Sequence, residues 1–198
     1  MTKKAAIGLR AHSGWAALVV LAGSADSPEV IARRRIEIAD PKIPGSKQPF
    51  HAAEHLEFPD AKAYIERCQE STKRLARESL RAAMDGLRDK RAEAIGCGII
   101  LGSGRALPLL EAILKSHALI HTAEGEFFRN ALVEACKHCG LPVLGVKEKE
   151  LFERGATKLG MAKAELERRV QEMGKTIGPP WTQDQKYAAL AAWMILPA

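Results

Sequence analysis

With 198 residues, the chain is long enough to bury a sizeable hydrophobic core, and we expect one main domain rather than two large ones. Hydrophobic residues make up 46% and charged residues 27%, which excludes a disordered chain, and the longest apolar run, 15–23, is far shorter than the roughly 20 residues of a membrane span. The net charge of +6 suits a polyanionic partner such as nucleic acid without identifying one.

Three strands are predicted at the start of the chain. Apolar runs at 4–9, 15–21 and 30–38 are separated by turn-forming residues, and their spacing favours an antiparallel meander. We therefore expect the chain to begin with one half of a sheet.

The segment 40–59 is predicted to be a long surface loop, because it carries four prolines, one glycine and little periodicity. It contains His51 and His55 in an HxxEH pattern that inverted zinc peptidases also have. Because Pro49 and Pro59 confine the pattern to about two helical turns, we interpret this match as accidental.

Helices then alternate with buried strands. Continuous apolar runs at 94–101 and 141–146 are typical of strands that are covered on both faces. Helices are predicted over 60–91, with Asp60 as N-cap, and over 108–115, 123–139, 162–173 and 183–195. We expect an α/β core over residues 1–150 and a helical C-terminal extension over 151–198 that packs on it.

The irregular placement of the four cysteines does not suggest a disulfide framework, and we expect a cytosolic protein. Cys68 and Cys97 have the surroundings of small core residues, and Cys136 and Cys139 form a lone CxxC at a helix end. Structural zinc sites take four ligands, so we interpret the CxxC as helix-end packing rather than as a zinc or redox site.

The element order and two short motifs resemble the ribonuclease H-like superfamily, in particular the RuvC-type resolvases and their YqgF-type relatives. The segment 6–16, AIGLRAHSGWA, is similar to their opening strand and tight turn, and the stretch from Glu124 to Glu148 is similar to their last crossover helix and the strand after it. The resemblance implies an α/β fold with a mixed five-stranded sheet, three antiparallel strands followed by two parallel ones, flanked by helices, with a helical C-terminal extension.

The catalytic pattern of that superfamily is altered in this chain. Its nucleases hold two divalent metals with several carboxylates. Arg10 stands where the first carboxylate belongs, and the fourth strand ends in a glycine turn instead of an acid. Asp184, at the start of the last predicted helix, remains as a carboxylate in a fitting place. The resemblance therefore implies a catalytically degenerate member rather than a normal two-metal nuclease.

An anion site is predicted where the first and fourth strands end. Backbone N–H groups of the turn after residue 101 and the charge of Arg105 suit a phosphate, and Arg10 and His12 join them if these strands are parallel. The alternative is a plain glycine turn with an exposed arginine. The residues predicted to contact nucleic acid or another phosphate-bearing ligand are Arg10, His12, Ser13, Gly102, Ser103, Gly104 and Arg105.

A divalent metal site is the competing hypothesis. His117 and His121 are four residues apart and share a face of a continuous helix, with Glu124 and Glu126 following them. Such a cluster suits a metal-assisted hydrolase or nuclease. His121, Glu124 and Asp184 are the candidate catalytic residues.

Capping is the alternative for the same segment. Thr122 and Gly125 favour a helix break, with Thr122 as N-cap and Glu124 and Glu126 in the first turn of the next helix. A third hypothesis is a protein-interaction scaffold, and a homodimer is open under each of the three. The sequence leaves enzyme activity, cofactor and ligand open.

Overall fold

The computed structural model describes residues 2–102, 104 and 106–198, which form five β-strands and seven α-helices. The strands are β1 (Lys3–His12), β2 (Trp15–Gly23), β3 (Pro28–Glu37), β4 (Ala92–Leu101) and β5 (Val143–Lys147). The helices are α1 (Pro49–Ala53), α2 (Phe58–Arg88), α3 (Leu110–Leu114), α4 (His117–His138), α5 (Leu151–Leu159), α6 (Lys163–Met173) and α7 (Gln183–Trp193).

The strands form one mixed sheet in the order β3-β2-β1-β4-β5. β1 pairs antiparallel with β2, and β2 with β3, whereas β1 with β4 and β4 with β5 are parallel. This confirms the predicted meander and the mixed five-stranded sheet. It also brings the carboxyl ends of β1, β4 and β5 to one edge, where ligands of open α/β sheets commonly bind.

Helices cover both faces of the sheet. Alternate residues of β1 point to opposite sides: Ile7 and Leu9 pack against α2 and α4, whereas Ala6 packs against the C-terminal helices α5–α7. A smaller third core joins α1, α2, α3 and the first half of α4, with Phe50 and Ile120 among its buried residues.

Helix α7 approaches the sheet unusually closely. A methyl group on Gly8 of β1 would lie 1.7 Å from the carbonyl oxygen of Ala188, and one on Gly98 of β4 would lie 2.2 Å from that of Ala191. Glycine is therefore required at both strand positions for the helix backbone to rest on the sheet.

The predicted loop 40–59 is wrong in its second half. Residues Pro49–Ala53 form α1, and α2 begins at Phe58 rather than Asp60. Pro49 and Pro59 both lie in the first turn of a helix. Backbone N–H groups in the first turn have no partner within the helix, so proline loses no hydrogen bond there, and its fixed φ suits the helix. Proline therefore begins helices here instead of confining the segment.

The predicted break at Thr122 is also wrong, since α4 runs unbroken from His117. The Thr122 hydroxyl donates to the carbonyl of Ala118 at 3.1 Å, so it is satisfied inside the helix and does not cap. Gly125 gives room to the Arg129 side chain, whose Nη1 would lie 2.8 Å from a methyl group there. Helix α5 lies within the predicted helical extension, although the sequence predicts no separate helix over 151–159. In the part of the chain that the structure describes, none of the helices has the length and apolar character of a membrane span.

Candidate functional site

An arginine held by two carboxylates occupies the carboxyl edge of the sheet. Arg10, near the end of β1, donates from Nη1 to Oδ1 of Asp184, which lies in the first turn of α7. Its Nη2 donates to Oε1 and Oε2 of Glu148 at 3.1 and 3.0 Å. Glu148 is the residue directly after β5. The guanidinium also lies 4.9 Å from the centroid of the Tyr187 ring. The Arg10 guanidinium thus neutralises the negative charge of both Asp184 and Glu148.

The meeting of Arg10 with Asp184 follows from the packing of α7 on β1. Gly8 contacts the backbone of Ala188. Two residues further along a strand is a step of about 6.6 Å, and four residues back along a helix is about 6 Å. The close contact at Gly8 therefore places Arg10 opposite Asp184.

His12 extends the same cluster. Its Nε2 lies 2.8 Å from Asp184 Oδ1, and its ring stacks on Trp15 with 4.2 Å between centroids and 8° between planes. The Arg35 guanidinium lies 3.8 Å from the Trp15 ring centroid. Ser13 is exposed in the turn between β1 and β2. His12 is therefore oriented by stacking and by the same carboxylate that holds Arg10.

The charges in this cluster do not fit a two-metal centre. Two-metal sites hold their ions with several carboxylates that are free to coordinate. Here Arg10 donates hydrogen bonds to carboxylate oxygens of both Asp184 and Glu148, and the Arg10 side chain is only 14% exposed. A guanidinium is never deprotonated in proteins, so it repels cations at this place at every accessible pH.

The end of β4 carries a second ion pair. A methyl group on Gly102 would lie 2.6 Å from Arg129 Nη1 and 2.7 Å from Glu126 Oε1, and these two side chains pair at 3.1 Å. Glu126 is therefore bound to Arg129 beside the strand end. Gly104 is exposed with φ +70°, and a methyl group there would lie 3.6 Å from Lys147 Cε. The predicted contacts Ser103 and Arg105 lie outside the described residues.

Three histidines from two helices form a separate cluster. His51 of α1 meets His117 and His121 of α4, and one ligand-capable atom from each lies within 4.8 Å of the other two. The two Nε2 atoms of His117 and His121 are 3.1 Å apart. The ring centroid of His51 lies 5.2 Å from that of His117 and 4.8 Å from that of His121. His55 follows the end of α1 and is outside this cluster.

Glu124 lies behind the histidines and ties α1 to α4. Its side chain is only 4% exposed, and Oε1 accepts the backbone N–H groups of Phe50 and His51 at 3.1 Å each. The same oxygen lies 3.0 Å from Nδ1 of His51. Glu124 thus caps α1 and stands next to Nδ1 of His51, whose ring lies beside the two histidines of α4.

In the cysteine pair at the end of α4, Cys136 is part of the core and Cys139 packs against it. Cys136 is fully buried, and its hydrogen bond with Cys97, together with burial, raises the pKa of the Cys97 thiol far above its usual range. Burial also raises the pKa of Cys139. Thiols with raised pKa values are poor nucleophiles and metal ligands, which agrees with helix-end packing.

Part of these clusters follows from the sequence. The structure brings the predicted residues Arg10, His12 and Asp184 together and places His117 and His121 on one helix. Glu148 is not predicted from the sequence, although it follows a strand end as ligand-binding residues often do. His51 is predicted only within the HxxEH pattern, and its contact with α4 depends on tertiary packing.

Comparisons with known proteins give a fold. No family model matches the chain, and no curated protein sequence matches it. A solved structure of RuvC from Thermus thermophilus in complex with a Holliday junction substrate aligns with a TM-score of 0.56 at 13% identity, covering 96% of this chain and 91% of that one. A second RuvC structure from Thermus thermophilus aligns with a TM-score of 0.51 at 14% identity, covering 96% and 92%. The sheet order, the helical layers and these alignments show that the chain has the ribonuclease H-like fold of the RuvC-type resolvases.

Proposed function

We propose that this chain is a non-cleaving ribonuclease H-like protein that binds nucleic acid at the carboxyl edge of its sheet. The observation that carries the proposal is the position of Arg10, whose guanidinium is held by Asp184 and Glu148. Phosphodiester cleavage on this fold needs metal ions among these carboxylates. The arginine neutralises the same charges without binding a metal or activating water.

Arg10 itself is committed to carboxylates, so the phosphate contacts must come from its neighbours. Lys147 supports this, because its side chain is 41% exposed and lies beside the backbone of Gly104. Its nearest carboxylate oxygen, on Glu150, is 3.9 Å away, which leaves the ammonium largely free. A lysine next to Gly104 suits a phosphate, because an ammonium and backbone N–H groups both bind phosphate oxygens. Arg105, the next residue in the sequence, is the second expected contact.

Two further observations favour nucleic acid over a small phosphate. The net charge of +6 attracts an extended polyanion, and a solved structure with this fold contains a Holliday junction. We therefore expect the chain to bind branched or duplex DNA with a strong dependence on salt.

The binding experiment is a fluorescence anisotropy titration of a labelled four-way DNA junction and of a matched duplex, at NaCl concentrations from about 50 to about 200 mM. We expect affinity to fall as salt rises. Lys147→Ala should lower affinity and reduce the slope of log K against log salt by about one contact. Lys4→Ala is the control, because Lys4 is an exposed, paired lysine at the opposite edge of the sheet.

Cleavage is tested on the same junction with Mg²⁺ or Mn²⁺ present. Intact DNA after long incubation is the expected result. Metal-dependent cutting by the unaltered chain contradicts the non-cleaving role, and salt-independent binding, or equal losses in Lys147→Ala and Lys4→Ala, contradicts the assigned binding edge.

A second function has one specific observation in its favour. The cluster of His51, His117 and His121 offers the donor set of a transition-metal centre, which a metal-assisted hydrolase needs. A phosphodiesterase assay with a chromogenic substrate, with and without added Zn²⁺, tests it. Zinc-dependent turnover that is lost in His117→Ala would establish an enzyme, and hydrolysis that zinc leaves at the background rate would contradict this second function.

A further inference from the structure

We propose that His51, His117 and His121 form a zinc site with one coordination position open to solvent. This inference does not rest on nucleic-acid binding, because the histidines belong to α1 and α4 and not to the Arg10 cluster. His51 is 66 residues before His117 in the sequence, and folding alone brings their side chains together.

The spacing of two of the three nitrogens is close to that of a metal site. In tetrahedral zinc with Zn–N bonds of about 2.0 to 2.1 Å, two ligand nitrogens are about 3.3 Å apart. The Nε2 atoms of His117 and His121 are 3.1 Å apart, and all three ligand atoms lie within 4.8 Å. His117 and His121 are four residues apart on one helix, the spacing with which helical histidine pairs bind zinc. Small side-chain rotations therefore suffice to enclose an ion.

Glu124 supplies the support that zinc-binding histidines usually have. A ligating histidine commonly donates its other ring N–H to a carboxylate, which fixes the ring orientation and strengthens the ligand. Glu124 Oε1 lies 3.0 Å from Nδ1 of His51, and the carboxylate is buried. It is also anchored by the N–H groups of Phe50 and His51, so it cannot easily turn away. Among the residues that the structure describes, Nδ1 of His51 has no well-aligned hydrogen-bond partner. Binding of zinc through Nε2 of His51 would place the ring proton on Nδ1, on the side of Glu124.

The ligand type selects the metal. Three imidazoles favour zinc and neighbouring transition ions, whereas Mg²⁺ prefers oxygen ligands. Glu126 is also predicted from the sequence as a metal ligand. In the structure it pairs with Arg129 at 3.1 Å and is not in the cluster. His117 and His121 are exposed, so the fourth position faces water. Three protein ligands with an open position are typical of zinc centres that bind a water molecule or an anion.

Without metal, the same 3.1 Å separation suits an N–H···N hydrogen bond between the two α4 histidines. The two arrangements differ in their response to added metal. A hydrogen-bonded pair gives no stoichiometric uptake, whereas the proposed site takes up one ion per chain and joins α1 to α4.

The experiment uses the full chain without a purification tag, stripped with a chelator and reconstituted with Zn²⁺. We expect one zinc per chain by elemental analysis after gel filtration, and a rise in Tm with added Zn²⁺ but not with Mg²⁺. Co²⁺ substitution should give the visible absorption bands of a four-coordinate site. Zinc uptake should be lost in His117→Ala and in His51→Ala, and Glu124→Gln should weaken affinity about tenfold or more.

His55→Ala is the matched control, because His55 is an exposed histidine four residues from His51 that is outside the cluster. It should retain full zinc uptake. His117 is exposed on α4, so His117→Ala keeps the fold and tests the site even if His51→Ala disturbs α1. The proposal is overturned if the reconstituted chain retains no zinc, or if His55→Ala loses as much zinc as His117→Ala.

Discussion

Arg10 places a permanent positive charge between two carboxylates at the carboxyl edge of the sheet. An arginine can replace a bound cation electrostatically, because its guanidinium reaches two carboxylates at once and keeps its charge. Asp184 and Glu148, on two different elements, depend on it for neutralisation. Arg10 therefore joins β1 to the first turn of α7 and to the residue after β5 through charged hydrogen bonds.

Replacement of this arginine should cost stability. In Arg10→Met the side-chain volume is largely kept, but Asp184, which is 22% exposed, loses its main cationic partner. Loss of one member of a partly buried charged pair costs about 2 kcal/mol. Urea unfolding followed by circular dichroism measures this loss.

A matched arginine provides the control. Arg168 of α6 also pairs with two carboxylates, Glu165 and Glu172, but its side chain is 56% exposed. Solvent screens such pairs, so Arg168→Met should leave the unfolding midpoint almost unchanged. Equal effects of the two substitutions would show that Arg10 has no special structural role.

At the level of elements, the contact of α7 with the sheet sets the position of Asp184. Gly8→Ala places a methyl group 1.7 Å from a backbone oxygen of α7, which neither element can avoid without moving. We expect a loss of about 3 kcal/mol or more in the free energy of unfolding, at the upper end of overpacking effects. Denaturant unfolding checks it.

Gly86→Ala is the control substitution. Gly86 lies inside α2, and the nearest atom to an added methyl group is Arg34 Nη2 at 3.1 Å, the end of a flexible side chain. Alanine is favoured over glycine within a helix, by up to about 1 kcal/mol. Gly86→Ala should therefore be neutral or stabilising, and a stable Gly8→Ala protein would contradict the close contact.

The sequence predicts those elements whose pattern of apolar residues is visible within the element itself. The apolar runs of β1, β2 and β4 identify strands wherever they pack. The sequence places the start of α4 too late because Thr122 has the residue type of an N-cap. In the structure, its hydroxyl instead donates a hydrogen bond to a carbonyl within the helix. The same limit applies to the clusters: Arg10 and Asp184 follow from the fold, whereas the approach of His51 to α4 depends on tertiary packing between distant segments.

At the scale of the whole molecule, the two faces of the sheet depend on different parts of the chain. Residues up to 150 cover one face with α2 and α4, and residues after 150 cover the other with α5–α7. Residues of all five strands, with Val19, Ile100 and Val146 among them, pack into this second core. The C-terminal helices are thus one of the two layers that a sheet of this kind needs.

We therefore expect residues 1–150 and 151–198 to fold as one cooperative unit. A chain ending at residue 150 would expose an apolar sheet face with two glycines shaped to receive α7, at a cost of about 25 cal/mol for each Å² of apolar surface left in water. The truncated chain should aggregate or give a poorly dispersed NMR spectrum, whereas the full chain should unfold in a single transition with coincident near- and far-UV circular dichroism. A well-dispersed spectrum and cooperative unfolding of 1–150 alone would instead make the C-terminal helices a separable addition. Because Asp184 lies on α7, that result would also separate the Arg10 cluster from the stability of the core.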